Sequence, residues 1–150
     1  DFFVLYGSIS GLLGAPGQGN YAAGNAFLQA LAHHRRAAGL PATCIDWGAF
    51  SEVGMASAAK NRGERLATRG MRSLSPREGI DALARILGSD VAELGVADLD
   101  VHAWIESHPH LRGSPRLAPL GAGAATVRWR ATRWAGSANT SNWPISPPIW

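Results

Sequence analysis

Three side chains near the start of the chain have the types and spacing for proton chemistry on an oxygen atom. Ser8 closes an apolar run, Tyr21 opens the helical pattern that follows, and Asn25 stands four residues beyond it. At that interval Tyr21 and Asn25 share one helix face, ~6 Å apart along the axis. A hydroxyl pair of this kind suits carbonyl reduction. Hydride arriving at the carbon builds negative charge on the oxygen, which needs a proton source and a second donor that does not react. Tyr21 is the candidate proton source and Ser8 the candidate donor. A free phenol titrates near ~10, so the tyrosine needs a cation beside it, from a lysine or an oxidised nicotinamide, to favour its phenolate. Lys60 is the only lysine in the chain and lies outside this stretch. A serine at a strand end also suits a turn or cap, and a tyrosine at a helix start also suits half-buried core. Spacing alone leaves both readings open.

The elements that must position these groups follow from pattern. The aromatic and aliphatic run FFVLY, Phe2 to Tyr6, suits a strand buried on both sides, as in a parallel sheet. Such a strand is not expected to open a fold, so earlier strands and helices are expected upstream of Asp1. Gly11, Gly14, Pro16, Gly17 and Gly19 mark the next stretch as loop, with Asn20 as the cap of a helix running to about Ala38. Ala22, Ala26, Ala30, Phe27 and Leu31 form its small-residue stripe. His33, His34, Arg35 and Arg36 suit the dipole of its last turn and read as solvated. Gly39 and Pro41 stop the helix, and ATCIDWG, Ala42 to Gly48, is a second short strand. Strand, helix, strand in this order is a parallel crossover unit. Ser8 then sits at the carboxyl end of a strand, where open parallel sheets bind ligands.

Beyond Gly48, residues 49–71 hold no sustained period and read as a mobile segment with one or two short helices. SPREGIDALARIL carries Ser75, Pro76 and Glu78 as a capping box, with Ile80, Leu83, Ala84 and Leu87 on one face. ELGVADLD, Glu93 to Asp100, reads as a third strand, and VHAWIESH as a closing helix.

Composition bounds the class. One soluble α/β domain suits 150 residues with 46% hydrophobic and 17% charged residues. No run approaches the ~18 apolar residues of a membrane span, and no signal peptide opens the chain, so a cytoplasmic location is expected. Cys44 is alone, which excludes an internal disulfide and a cysteine-based zinc site; no metal is expected. The net charge of +3 does not indicate nucleic acid, because residues 1–111 hold all eleven acids while 112–150 hold only arginines. Residues 1–111 are expected to form the domain. Residues 112–150, rich in Gly, Pro, Ser, Trp and Arg, are expected to be a disordered or linker-like tail. Neither a nucleic-acid nor a membrane partner is expected of Arg128, Trp129, Arg130, Arg133 and Trp134.

At these residues the sequence resembles the ketoreductase domain of modular type I polyketide synthases, a branch of the short-chain dehydrogenase/reductase superfamily. The resemblance rests on the strand ending in Ser8, the glycine-rich loop, the Tyr-Ala-Ala-x-Asn start of the helix and the strand closing in Asp-Trp-Gly. It covers residues 1 to about 111 and is most specific through Met55. It implies the C-terminal half of a Rossmann-like parallel sheet with flanking helices. It also implies NADPH-dependent reduction of a β-ketoacyl chain, held on the phosphopantetheine arm of an acyl carrier protein, beside other synthase domains. Ser8 then polarises the ketone, Tyr21 gives the proton, and Asn25 stands where ordinary short-chain dehydrogenases carry lysine. In ketoreductases the two are exchanged, so the lysine is expected upstream. Asp46, Trp47 and Gly48, with Tyr21, are implied on the nicotinamide side. Leu13, Gln18, Phe50 and Met55 are the expected substrate contacts, the last two on a lid that begins AFSEVGMA.

Two departures qualify the resemblance. The dinucleotide fingerprint and the upstream lysine are absent, so these residues alone are expected neither to bind NADPH tightly nor to turn over. Leu13 replaces the tryptophan that marks the L-hydroxyl class eight residues before the tyrosine, which leans toward the D-hydroxyl class, although Ala23 stands where that class often has proline. The competing expectation is a non-reducing ketoreductase remnant that braces its neighbours in a megasynthase.

Overall fold

The computed structural model describes residues 1–52, 62–114, 117 and 132–133. Met55 and most of the stretch read as a tail lie outside the described residues. The chain divides into two compact units. The first holds residues 1–48 and 77–96 with the strand at 132–133; the second holds the described residues of 49–76 and 97–117.

In the first unit, β1 (Val4–Ser8), β2 (Thr43–Trp47) and β4 (Glu93–Val96) run parallel, in the order β1, β2, β4. The sequence placed the first strand over Phe2–Tyr6 and buried on both sides. It lies two residues later, and Phe2 and Tyr6 are exposed. Phe2 lies before the strand, and Tyr6 projects from the face of β1 opposite the one on which α2 packs. The Arg35 guanidinium lies over Phe3, 4.0 Å from the centre of its ring.

The glycine-rich loop contains a single helical turn, α1 (Ser10–Leu13), which its composition had hidden. Helix α2 (Gly19–Ala37) begins before Asn20, so Gln18 and not Asn20 occupies the cap position, and Asn20 Oδ1 accepts from the Tyr21 N–H instead. The expected stripe is also displaced. Ala26, Phe27 and Ala30 face solvent, whereas Asn25 and Ala32 are buried and Leu28 and Gln29 half-buried. Ala32 and Leu28 pack with Leu5, Ala42 and Cys44 into the core between α2 and the sheet. At its far end α2 is pinned by His33 to Glu93 at 2.9 Å and by an Arg36–Asp90 ion pair, so His33 is not merely solvated. Helix α4 (Pro76–Leu87) forms where the capping pattern placed it, but rotated: Gly79, Ala82 and Ile86 are buried, while Ile80 and Leu87 are exposed.

The second unit contains α3 (Arg62–Ala67), β3 (Met71–Arg72), β5 (Asp98–Leu99), α5 (Val101–Ser107) and a 3-10 turn at Pro109–Leu111. The single strand expected over Glu93–Asp100 is in fact two: β4 pairs with β2, and β5 turns to an antiparallel pairing with β3. The buried Asp98 forms an ion pair with Arg72, and Asp100 caps α5 by accepting from the Ala103 N–H at 3.0 Å. Strand β6 (Thr132–Arg133) lies within the stretch read as tail and runs antiparallel to β4. No helix among the described residues is long and apolar enough to cross a membrane.

Candidate active site

The carboxyl ends of the three parallel strands form a row. Ser8 is the register partner of Trp47, and Trp47 of Val96. The ladder continues past the strand ends, with the Ile9 N–H donating to the Trp47 carbonyl at 3.0 Å and the Gly48 N–H to the Val96 carbonyl at 2.8 Å. The row is therefore held rigidly by backbone. The Trp47 ring stacks on Tyr6, centroids 5.9 Å apart. Asp46, one residue earlier, faces the opposite side of the sheet, where α2 packs.

Ser8 is half-buried, and its Oγ accepts from the Ser10 hydroxyl at 3.0 Å and the Ser10 N–H at 3.3 Å. Tyr21 stands in the first turn of α2 and is 37% exposed. Asn25 is buried, and its Nδ2 donates to the Tyr21 carbonyl at 2.8 Å. Among the described residues no hydrogen bond joins Ser8 to Tyr21. Leu13 is buried in α1 and Gln18 exposed at the cap of α2. Phe50 belongs to the second unit, where it bridges to Leu74, and Met55 lies outside the described residues.

Beneath α2, Asp46 and Cys44 join a polar group through Gln29, a partner that the sequence did not single out. Gln29 Nε2 donates to Asp46 Oδ2 at 2.9 Å, and Cys44 Sγ lies 3.7 Å from Asp46 Oδ1. Asp46 is fully buried. Burial pushes its carboxyl up to about 7; the Gln29 bond opposes the shift and the charge of Glu93 adds to it. Burial and the neighbouring acids push the Cys44 thiol up to about 12. Two glycines make room. A Cβ on Gly7 would stand 2.3 Å from Asp46 Oδ1, and one on Gly11 would stand 2.8 Å from Gln29 Nε2 and 3.0 Å from Asn25 Cβ. The signal for Gln29 was present in its spacing, one helical turn beyond Asn25 and two beyond Tyr21. Among the described residues no cluster of His, Cys, Asp and Glu could hold a metal ion.

A Rossmann-like parallel sheet with hydroxyl-bearing and aromatic residues at its carboxyl edge is the class this geometry defines. Residues 1–52 match the family model of the KR domain. The chain is 38% identical over 125 residues to a phenolphthiocerol/phthiocerol polyketide synthase of Mycobacterium tuberculosis, covering 83% of this chain and 5% of the relative. It is 42% identical over 143 residues to the spectinabilin polyketide synthase system protein NorB of Streptomyces orinoci, covering 91% of this chain and 6% of that one. Among solved structures it resembles the ketoreductase from the first module of phoslactomycin biosynthesis in Streptomyces sp. HK803. That match has a TM-score of 0.70 at 36% identity and covers 77% of this chain and 27% of that one. An A-type ketoreductase of a modular polyketide synthase matches with a TM-score of 0.66 at 36% identity, over 70% of this chain and 22% of that one. The chain belongs to the ketoreductase domains of polyketide synthases, and it spans only a small part of the relatives it matches.

Proposed function

We propose that the chain supplies the proton-donor side of a ketoreductase that reduces a β-ketoacyl group, carried on the phosphopantetheine arm of an acyl carrier protein, to the β-hydroxyacyl form. The observation that carries this reading is the placement of Ser8 at the carboxyl end of β1, beside Trp47, from which the single turn α1 leads directly to the helix that bears Tyr21 and Asn25. Tyr21 gives its proton to the developing alkoxide, and Ser8 holds the same oxygen by a hydrogen bond that persists through the step. Asn25 fixes the first turn of α2 by holding the Tyr21 carbonyl. Trp47, which ends β2, and Gly48 after it, with the backbone of Asp46 before them, fit the nicotinamide side of NADPH, since dinucleotides bind outside the carboxyl ends of parallel strands. NADPH supplies the hydride when bound. Leu13, Gln18, Phe50 and Met55 are proposed as substrate contacts, and residues 1–111 as the catalytic portion, with 112–150 a linker-like tail apart from the strand at Thr132–Arg133 that joins the sheet. The setting is a cytoplasmic synthase with further domains.

The test is turnover of a model diketide, followed as loss of NADPH absorbance, by the ketoreductase polypeptide that carries this chain. Tyr21→Phe lowers kcat by about 100- to 10,000-fold. Undiminished turnover in Tyr21→Phe overturns the assignment, and an NADPH-binding wild type without turnover returns the bracing, non-reducing reading.

A further inference from the structure

We propose that Gln29 and Asp46 are positioning residues for the proton donor, acting through the helix that carries it; the inference rests on the reductase reading above. Tyr21, Asn25 and Gln29 stand at successive turns on one face of α2. At the start of this helix Gln18 makes no capping bond and no acid lies in the first turn, so the side-chain oxygen there is Asn20 Oδ1 on the Tyr21 N–H, within the turn itself. Its first turn is therefore held from within. Asn25 ties to the Tyr21 carbonyl, and one turn on, Gln29 ties the helix to the buried Asp46 on β2.

The glycines show how closely this tie is fitted. Gly7 lets the Asp46 carboxyl lie flat on β1, and Gly11 lets α1 press on Asn25 and Gln29 together. Depth and rotation of α2 are thus set at Asp46, and the same rotation aims Tyr21. A merely structural bond at this place costs stability. A positioning bond also moves Asn25, and costs turnover without costing affinity.

The experiment uses the ketoreductase polypeptide carrying this chain, isotope-labelled for NMR, as wild type, Gln29→Met, Asp46→Asn and Gly11→Ala. Gln29→Met keeps the side-chain length and loses the amide; its kcat is expected to fall about 10-fold, as for a small misplacement of a reacting group. KM for NADPH and diketide is expected to stay within about twofold. In the same variant the side-chain amide signals of Asn25 shift. Asp46→Asn still offers an oxygen to Gln29 and leaves those signals in place. Gly11→Ala, whose Cβ would stand 2.8 Å from Gln29 Nε2 and 3.0 Å from Asn25 Cβ, displaces the Gln29 amide from Asp46 and shifts the Asn25 signals, and it serves if Gln29→Met fails to fold. Unchanged Asn25 signals and unchanged kcat in either folded variant overturn the inference. A wild type without turnover defeats the reductase reading alone, and the Asn25 signals then decide the positioning claim.

Discussion

Gly7 and Asp46 face each other across β1 and β2 as register partners, so close that a methyl group on the glycine would stand 2.3 Å from the carboxyl oxygen. A carboxyl confined on that side by backbone and on the other by Gln29 cannot swing aside without breaking its bond. Gly7→Ala is therefore expected to destabilise the protein by about 2–3 kcal/mol, as overpacking of a filled interior does. Adding Asp46→Ala should recover part of that loss, because the two sites share one clash. Denaturant unfolding of the single and double variants measures both.

Stability should depend on pH through the same acid. The folded carboxyl titrates at about 7, against 3.8 for the unfolded chain. The folded state thus holds its proton more tightly. This contribution is fully present below pH ~4 and is lost as pH rises through ~7, with a ceiling of about 4 kcal/mol. Asp46 is faced by Cys44 on its own strand, Gly7 on β1 and Gln29 on α2, and it feels the charge of Glu93 on β4. Unfolding free energies of wild type and Asp46→Asn across that range should diverge toward high pH, the variant losing less.

Cys44 should be silent toward thiol reagents. It is fully buried and its thiol is pushed up to about 12, so almost no thiolate exists at neutral pH. Labelling by iodoacetamide is expected only after unfolding. Rapid stoichiometric reaction of the folded protein would contradict the placement of β2.

The rotation of α4 makes opposite forecasts for two isoleucines six residues apart. Ile86→Ala empties a buried site and should cost about 2–4 kcal/mol. Ile80→Ser changes an exposed position and should stay within about 0.5 kcal/mol. Thermal unfolding of the two variants separates them.

These two residues also show what could be read from the sequence and what could not. The Ser-Pro-x-Glu start of α4 is local chemistry and placed the helix correctly, whereas its inward face depends on what it packs against. Small residues at Gly79 and Ala82 allow close approach, and a hydrophobicity pattern alone favoured the larger side chains. The same limit displaced the face of α2, where alanines outside and an asparagine inside invert the usual expectation. Tyr21 and Asn25 were legible because their relation is a helical interval. The Gln29–Asp46 bond spans a gap of 17 positions and needs the folded crossover to exist at all. Strand β5 was hidden for a similar reason, since Asp98–Leu99 continues an apolar run and only its partner at Met71–Arg72 reveals the change of sheet.

The short strand at Thr132–Arg133 gives the sheet a direction. By lying against Leu94 and Gly95 it occupies part of the outer rim of β4, while among the described residues the far rim of β1 stays unclaimed. Among the described residues, the outward backbone groups of β1 are thus free to pair with a further strand.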